Sequence, residues 1–253
     1  MYNSIFKRIS FHEFRGIGEI TPRELEELQE FIDNAVPLDR EIRTRIRIVP
    51  ALETSCRRGA EYCILFYSEK KNDCFRNIGY IGEQIDLNLA EKDIGALWFG
   101  LGKTKEAVID DMDFIIMIAI AKMPRDKFRK QFDESMRKPL GEIWIGDTMG
   151  VAEVARFAPS TANTQPWLVE NSDGMLSVYR CREPEKPGSR RKSGKDTVGN
   201  LNRIDMGIFM YILETCLAHE GLDFTRTLYS DTDDDAVGKI LTAEYQLKAQ
   251  QRH

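Results

Sequence analysis

The sequence predicts an α+β protein made of two degenerate half-repeats, each with a mixed sheet flanked by helices. Segments with helical spacing of apolar residues alternate with short runs rich in β-branched and aromatic residues. The same order occurs twice: a helix, a proline-marked turn, two strands, a long helix, a glycine turn and a further strand. With 253 residues, 42% of them hydrophobic, the chain can bury a sizeable core. We therefore expect one half at 1–145 and the other at 146–253.

The first half contains a well-marked helix start at Thr21. Thr21 can cap a helix, Pro22 suits its first turn, and Glu24 completes a capping box. Apolar spacing and alternation predict the elements of this half: a helix from Pro22 to about Ala35, a long helix from Phe75 to about Ile94, and strands at Arg43–Val49, Tyr62–Tyr67, Ala96–Gly102 and Asp113–Lys122.

The second half follows a charged, helix-prone bridging segment, Met123–Lys138. The predicted helices are Thr148–Phe157 and Arg203–Glu220, and the predicted strands are Trp167–Glu170, Met175–Cys181, Phe224–Tyr229 and Lys239–Gln246. We expect a mobile loop at Arg182–Gly199 and an acidic turn at Asp231–Asp235. The two halves align through equivalent residues: Pro37 with Pro159, Gly79 with Gly207, and Gly95 with Gly221.

Composition excludes several classes of protein. The chain has 36 basic and 41 acidic residues, a net charge of -5, which argues against a nucleic-acid-binding surface. Its longest apolar run, Phe114–Ala121, is too short to cross a membrane, and the N-terminus lacks the apolar region of a signal peptide. Five cysteines without a C-x-x-C pair suggest a reduced, cytoplasmic protein. The three histidines show no metal-ligand spacing, so a zinc site is not expected.

The most specific motif is Ala-Pro-Ser-Thr-Ala-Asn-Thr-Gln-Pro-Trp, residues 158–167. Its prolines stiffen the backbone, and its hydroxyls and amides can donate and accept hydrogen bonds. The run closely resembles the A-P-S-x-x-N-x-Q-P-W motif of the nitroreductase-like FMN flavoproteins. The resemblance implies that Pro159, Ser160, Asn163 and Gln165 face the flavin.

Two weaker segments match the parts of that family that hold the FMN phosphate and ribityl chain. The run Arg8-Ile9-Ser10-Phe11-His12 stands where the family has R-x-S-x-R/K, so Arg8, Ser10 and His12 become candidate ligands. Guanidinium groups bind phosphate bidentately, whereas a histidine carries less charge at neutral pH. Arg137, in Arg-Lys-Pro-Leu-Gly-Glu-Ile, resembles a second family segment and is a further phosphate candidate.

A fourth segment, residues 94–102, resembles a glycine-rich family turn that approaches the flavin ring. The resemblance places Phe99, Gly100 and Leu101 beside the cofactor, because glycine lets a backbone come close to a planar ligand. Leu101 replaces one glycine of the family pattern.

The distribution of these motifs indicates a single-chain pseudo-dimer. Family members are usually homodimers, and each FMN takes the R-x-S arm from one subunit and the P-S-x-x-N-x-Q segment from the other. Here the first half has the arm and the second half has the motif. The resemblance therefore implies one FMN per chain and a protein that can act as a monomer.

The implied function is that of an FMN-dependent oxidoreductase. NAD(P)H would serve as electron donor, and a small molecule such as a nitro compound or quinone would serve as acceptor. The flavin carries the chemistry, so the sequence assigns no catalytic side chain. Two alternatives remain open: a flavin-binding or flavin-sequestering protein with little turnover, and a degenerate scaffold without catalysis.

Overall fold

The computed structural model of the chain describes residues 1–15, 18–131, 135–182, 195–230 and 238–248. They belong to two compact units, Met1–Glu134 and Ser135–His253. The predicted boundary between the repeats lies after residue 145, so the segment 135–145 ends the first repeat in sequence but belongs to the second compact unit. The predicted mobile loop and acidic turn lie mostly outside the described residues, at 183–194 and 231–237.

The first unit is an antiparallel sheet with helices. Its helices are α1 (Tyr2–Lys7), α2 (Pro22–Asp33) and α3 (Cys74–Glu91), and its strands are β1 (Thr44–Pro50), β2 (Tyr62–Ser68), β3 (Ile94–Phe99), β4 (Val108–Ile109) and β5 (Met112–Lys122). The strands follow the order β1-β2-β5-β3, with β4 paired to the start of β5. A parallel bridge joins Ser10 to Ala96, so the N-terminal arm lies along β3.

Helix α2 forms as its sequence predicts. The Thr21 hydroxyl accepts a hydrogen bond from the Glu24 backbone N–H, and the Glu24 carboxylate accepts one from the Thr21 N–H at 2.9 Å. This capping box satisfies two N–H groups that have no partner within the helix. The buried face of α2 carries Leu28 and Ile32.

The second unit repeats this architecture and also has a five-stranded sheet. Its helices are α4 (Leu140–Ile143), α5 (Ala152–Ala155) and α6 (Lys195–His219), and its strands are β6 (Trp144–Ile145), β7 (Trp167–Ser172), β8 (Met175–Arg182), β9 (Phe224–Leu228) and β10 (Gly238–Leu247). The order is β6-β7-β8-β10-β9, and only β6 and β7 are parallel. Asp173 and Gly174 have φ of 51° and 81° and form the two-residue turn between β7 and β8, as hairpin geometry requires.

Corresponding strands of the two sheets have the same order. The path β1-β2-β5-β3 in the first unit matches β7-β8-β10-β9 in the second. Each sheet also has one irregularity on the corresponding strand, where Ile115 of β5 and Thr242 of β10 are extra residues in the pairing. Such bulges bend and twist a strand locally. The structure therefore confirms the predicted α+β fold of two similar halves.

A hydrogen bond to the long helix is also repeated. The Asp39 N–H donates to Asn77 Oδ1 of α3 at 3.1 Å, and the Thr161 N–H donates to Asp205 Oδ1 of α6 at 2.9 Å. In each half the donor lies two residues after the aligned proline, and the acceptor lies two residues before the aligned helical glycine. The repeat thus extends from strand order to single side chains, although one acceptor is an amide and the other a carboxyl group.

Three predicted segments differ from the structure. The described part of 123–138 contains only a 3-10 turn, Arg125–Lys127, because few of its residues are buried and a helix needs an apolar face to pack. The helix predicted at Thr148–Phe157 is limited to Ala152–Ala155, since Met149 and Gly150 have φ of 53° and 72°. The strand predicted to reach Gly102 ends at Phe99, where a turn begins.

Helix α6 is longer than predicted. It begins at Lys195 rather than Arg203, so part of the predicted loop is helical. Val198 and Leu201 continue the apolar spacing of the helix toward its N-terminus. No helix in the described part of the chain is long and apolar enough to cross a membrane.

Candidate functional site

The 158–167 motif forms a tightly turned segment between α5 and β7. Ala162, Asn163 and Gln165 have φ of 50°, 56° and 47°, in the left-handed region that costs energy for residues other than glycine. Ser160 supports this backbone, because its Oγ accepts a hydrogen bond from the Gln165 N–H at 2.9 Å. Thr164 adds a bond from its hydroxyl to the Thr161 carbonyl at 3.0 Å.

Arg137 lies against this motif. Its Nη1 donates to Asn163 Oδ1 at 3.0 Å, and its Nη2 donates to the Phe157 carbonyl at 3.1 Å. The Asn163 amide returns a bond from Nδ2 to the Met136 carbonyl at 2.9 Å. The fold thus brings together Arg137 and Asn163, which belong to separate segments of the family pattern. The acceptors that orient the guanidinium, Asn163 Oδ1 and the Phe157 carbonyl, are both uncharged.

Gln165 holds the same segment from the interior. Its side chain is buried, with Oε1 accepting the Lys138 N–H at 2.8 Å and Nε2 donating to the Asn163 carbonyl at 3.2 Å. The amides of Asn163 and Gln165, which the resemblance assigned to the flavin, therefore bind residues 136–138 and the motif's own backbone. They fix the position of Arg137.

Asp205 anchors the motif to α6. Its Oδ1 accepts both the Thr161 N–H at 2.9 Å and the Thr161 hydroxyl at 3.1 Å, while Oδ2 is buried without a hydrogen-bond partner in the described part of the chain. Burial raises the pKa of Asp205 to about 7, although the two bonds from Thr161 act in the opposite direction. A buried carboxyl group thus holds the loop that carries the candidate ligands.

The candidate residues of the first unit form a separate cluster. Arg8 is buried, and its Nε donates to Asp86 Oδ2 at 2.9 Å, while its Nη2 donates to Ser10 Oγ at 3.1 Å. The Trp98 indole N–H also donates to Asp86 Oδ2, at 2.9 Å. Burial alone would lower the pKa of Arg8, but the charges of Asp86 and Glu83 more than offset it, and the pKa is raised. The positive charge of Arg8 is therefore already paired with the Asp86 carboxylate.

Glu83 adds a second buried carboxyl group to this cluster. Neither of its oxygens has a hydrogen-bond partner among the residues that the structure describes. Burial and the neighbouring charge of Asp86 raise its pKa well above the ordinary value, although Arg8 acts in the opposite direction. Of the two carboxyl groups, Asp86 is the one that forms the ion pair with Arg8.

The turn after β3 presents the remaining candidates of the first unit. The Gly102 N–H donates to the Phe99 carbonyl at 3.0 Å, which closes a turn through Gly100 and Leu101. The Leu101 side chain is 74% exposed, an unusual position for a large apolar residue. His12 is also exposed. Leu101 and His12 are thus accessible to solvent, whereas Arg8 is not.

The candidate residues therefore fall into two groups. Arg137, Ser160, Asn163 and Gln165 share one hydrogen-bonded network in the second unit, next to the buried Pro159. In the first unit, the structure links Arg8 to Ser10 by a hydrogen bond and shows none from these two to His12 or to the 99–101 turn.

Sequence reasoning missed the carboxyl groups that position these ligands. Asp205 and Asp86 each lie between two apolar residues in the middle of a long amphipathic helix. A lone acidic residue in such a place is rarely left unpaired, so this pattern is the signal that could have identified them. Thr161 could not be singled out, because its role depends on the contact with α6.

The fold is similar to that of a solved structure, the "putative nitroreductase" from Thermotoga maritima MSB8. The TM-score is 0.63 at 17% sequence identity, and the match covers 97% of this chain and 93% of that one. At this identity the likeness is one of fold. No curated protein matches the chain in sequence.

Two further solved structures match about half of the chain with TM-scores below 0.5. One is a nitroreductase family protein from Clostridium difficile 630, with a TM-score of 0.45 and 14% identity over 56% of this chain and 95% of that one. The other is a "putative nitroreductase" from Desulfovibrio desulfuricans solved in complex with FMN, with a TM-score of 0.40 and 17% identity over 55% of this chain and 92% of that one.

A family model identifies the chain more directly. The model described as "Putative TM nitroreductase" matches residues 1–216, which include the arm, the glycine turn, Arg137 and the 158–167 motif. The match extends well past both groups of candidate residues. The chain belongs to this nitroreductase family.

Proposed function

We propose that the protein is an FMN-dependent oxidoreductase that passes electrons from NAD(P)H to a nitro compound, a quinone or a similar small acceptor. The observation that carries this proposal is the network that joins Arg137 to the 158–167 motif. Two segments that resemble FMN-binding parts of the family meet through direct hydrogen bonds. Membership of a nitroreductase family supports the same class of reaction.

The second-unit network fits an anionic, polar cofactor such as FMN. Arg137 is oriented by two carbonyls and an amide oxygen, so its guanidinium is pre-positioned for a phosphate. The Ser160 hydroxyl accepts from the Gln165 N–H and can still donate its proton to a ligand oxygen. The left-handed backbone at Ala162, Asn163 and Gln165 gives the segment a fixed shape, which preserves ligand geometry.

The candidates of the first unit contribute differently. Ser10 is oriented by Arg8 and is suited to bind a ribityl or phosphate oxygen, with exposed His12 close to it in sequence. The exposed apolar surface of Leu101 and the turn through Phe99 and Gly100 suit the apolar part of a flavin ring. We assign Arg8 the role of orienting Ser10, since its own charge is paired with Asp86.

One flavin per chain follows from the distribution of the motifs between the two halves, 1–145 and 146–253. Bound FMN supplies the redox chemistry, taking electrons from the nicotinamide and giving them to the acceptor. The protein orients the cofactor and admits small molecules, so no acid–base side chain is assigned. In this proposal the protein acts as a monomer in the cytoplasm, without nucleic-acid or membrane partners.

A matched pair of arginine variants tests the proposal. Arg137→Ala should weaken FMN binding at least tenfold and lower flavin-dependent NADH or NADPH oxidation with menadione or nitrofurazone as acceptor. Arg23→Ala, which removes an exposed arginine paired with Glu27 on α2, should change neither. FMN affinity by fluorescence quenching and oxidation at 340 nm are the readouts. Unchanged FMN affinity in Arg137→Ala would contradict the proposed site.

One observation favours a second candidate, a flavin-binding or scaffold protein with little turnover. Arg8, Asn163 and Gln165 all use their polar groups within the protein. A protein that binds FMN tightly but does not oxidise NADH or NADPH with any acceptor would be a flavin-sequestering protein. One that takes up no FMN at all would be a scaffold.

A further inference from the structure

A loop of the first unit, residues 54–59 between β1 and β2, is tied to the segment that follows β3. Thr54 forms an antiparallel bridge with Thr104. The Ser55 N–H donates to the Lys103 carbonyl at 2.8 Å, and the Lys103 N–H returns a bond to Ser55 Oγ, also at 2.8 Å. These bonds fix one end of the 54–59 loop next to the turn after β3.

The other end of the 54–59 loop lies against the continuation of the N-terminal arm. The Phe14 N–H donates to the Arg58 carbonyl at 2.8 Å. Gly59 has φ of 80°, and a Cβ at this position would lie 2.6 Å from the Phe14 carbonyl oxygen, so only glycine allows so close an approach. The 54–59 loop thus borders both segments of the first unit to which the proposed function assigns flavin contacts.

Chain direction places Arg57 on the side of the turn. Because Ser55 and Lys103 pair in antiparallel directions, the residues after Ser55 run alongside those before Lys103. Arg57 and Leu101 each lie two residues from that pair and are therefore at the same end of it. Leu101 belongs to the turn that is assigned to the flavin ring.

The guanidinium of Arg57 is oriented by uncharged groups. Its Nη1 donates to the Thr54 carbonyl at 2.8 Å and to the Cys56 carbonyl at 2.9 Å. Arg57 and Arg58 are both exposed, and neither forms an ion pair with the residues that the structure describes. Arg137 is held in a similar way, by an amide oxygen and backbone carbonyls. An arginine oriented in this manner presents its other N–H groups to an anion.

The acidic residues that flank these segments in sequence do not neutralise the loop. Glu13 and Glu106 pair with arginines outside it, and Glu61 accepts two backbone N–H groups. Glu53 is exposed, but it precedes the antiparallel bridge and lies at the opposite end of the pairing from Arg57. This end of the 54–59 loop therefore carries net positive charge.

A phosphate monoester fits this surface. Such a group carries close to two negative charges at pH 7, and guanidinium binds phosphate bidentately, so two adjacent arginines match one monoester. Two ligands of the proposed reaction contain a phosphate monoester, FMN and NADPH. The FMN phosphate already has Arg137 and Ser10 as proposed ligands, whereas the 2′-phosphate of NADPH has none. Arginine is also the residue type that accommodates this 2′-phosphate in other NADPH-binding sites.

We propose that Arg57 and Arg58 bind the 2′-phosphate of the nicotinamide donor, which makes NADPH rather than NADH the preferred electron donor. This inference rests on the proposed function, because it assigns the donor of that reaction. The 54–59 loop borders the turn assigned to the flavin ring, and the nicotinamide has to approach that ring. One extended donor molecule can therefore reach the ring and the two arginines together.

Calorimetric titration of the FMN-saturated, full-length protein with adenosine 2′,5′-bisphosphate tests this assignment without turnover. The probe carries the 2′-phosphate of NADPH but no nicotinamide, and 5′-AMP is the matched ligand that lacks this phosphate. We expect saturable binding of the bisphosphate, at least tenfold tighter than that of 5′-AMP. Arg57→Ala and Arg58→Ala should each weaken it about tenfold, because each removes charged hydrogen bonds. Arg58→Ala keeps the test valid if loss of the Arg57 side chain disorders the loop.

Arg45→Ala is the matched control. Arg45 is exposed on β1, five residues before the end of the strand at Pro50, and lies about 17 Å from that end. Its substitution should change neither bisphosphate binding nor FMN affinity. In steady-state assays, Arg57→Ala and Arg58→Ala should raise the KM for NADPH about tenfold. They should leave kcat and the KM for NADH unchanged, since NADH has no 2′-phosphate.

Four results would overturn the inference. They are no saturable binding of the bisphosphate, equal affinity for 5′-AMP, binding that neither arginine substitution weakens, and a loss of FMN affinity in either variant. The last result would assign the arginines to the flavin phosphate.

The outcomes also separate this inference from the proposed function. NADPH oxidation with an unchanged KM in both arginine variants would contradict the inference and leave the proposed function intact. Arginine-dependent binding of the bisphosphate by a protein that oxidises neither NADPH nor NADH would support the phosphate site and contradict the proposed function instead.

Discussion

At the scale of single residues, buried carboxyl groups determine how the candidate ligands are held. Asp205 anchors Thr161, and Asp86 anchors both Arg8 and Trp98. Asn77 forms the bond in the first half that Asp205 forms in the second, which shows that an amide can fill this position. The carboxyl group at 205 is therefore not needed for the hydrogen bond to the loop. Unlike an amide, it makes the free energy of unfolding depend on pH.

The Asp205→Asn substitution tests this pH dependence. The pKa of Asp205 is raised from 3.8 to about 7 in the folded protein, so between these values the folded state holds a proton that the unfolded state releases. The free energy of unfolding should therefore fall as pH rises from 4 to 7, by about 4 kcal/mol from this group. Asp205→Asn should remove that part of the slope and be the more stable protein at pH 8.

Urea unfolding of both proteins at pH 5 and pH 8 provides the measurement. The difference in stability between them should grow with pH, because other titrating groups cancel in the comparison. An equal slope in both proteins would mean that Asp205 is ionised throughout this range.

At the scale of elements, the segment 135–145 contributes both to the candidate site and to the second sheet. It carries Arg137 to the 158–167 motif and then adds β6 to the edge of the second sheet. Its position depends on Gln165, whose buried amide accepts the Lys138 N–H. Gln165 therefore contributes to ligand binding indirectly, because it helps to position Arg137.

Gln165→Ala should affect both stability and FMN binding. Loss of the buried acceptor leaves the Lys138 N–H without this bond and should cost about 1–3 kcal/mol of unfolding free energy. FMN binding should weaken because Arg137 is no longer held in place. Gln165→Glu, which keeps an acceptor oxygen at the same position, should recover more stability than Gln165→Ala in urea unfolding. Equal FMN affinity in Gln165→Ala and the unsubstituted protein would show that Gln165 does not contribute to the FMN site.

Most strands could be predicted from the sequence, and some local details could not. Strand β5 was predicted to within one residue because eight consecutive apolar residues, 114–121, occupy its interior. The helix at 148–157 was overestimated, since nothing in its spacing reveals the left-handed backbone at Met149. The ligand motif was recognisable by resemblance, but its bonds to Arg137 and Asp205 join residues far apart in sequence and require the fold.

At the scale of the whole molecule, two halves with one strand order have diverged in different directions. The second compact unit contains the 158–167 motif and covers its outer strand with β6, and the first unit has neither feature in its described residues. This asymmetry is the basis for proposing a single flavin per chain.

The ratio of FMN to protein tests this central claim most directly. The purified protein is saturated with FMN, freed of excess by gel filtration and denatured, and the released flavin is measured by absorbance against the protein concentration. We predict a ratio near one, and a clear loss of bound flavin in Arg137→Ala. A ratio near two would show that both halves retain a site, and a ratio near zero after saturation would contradict the flavoprotein assignment itself.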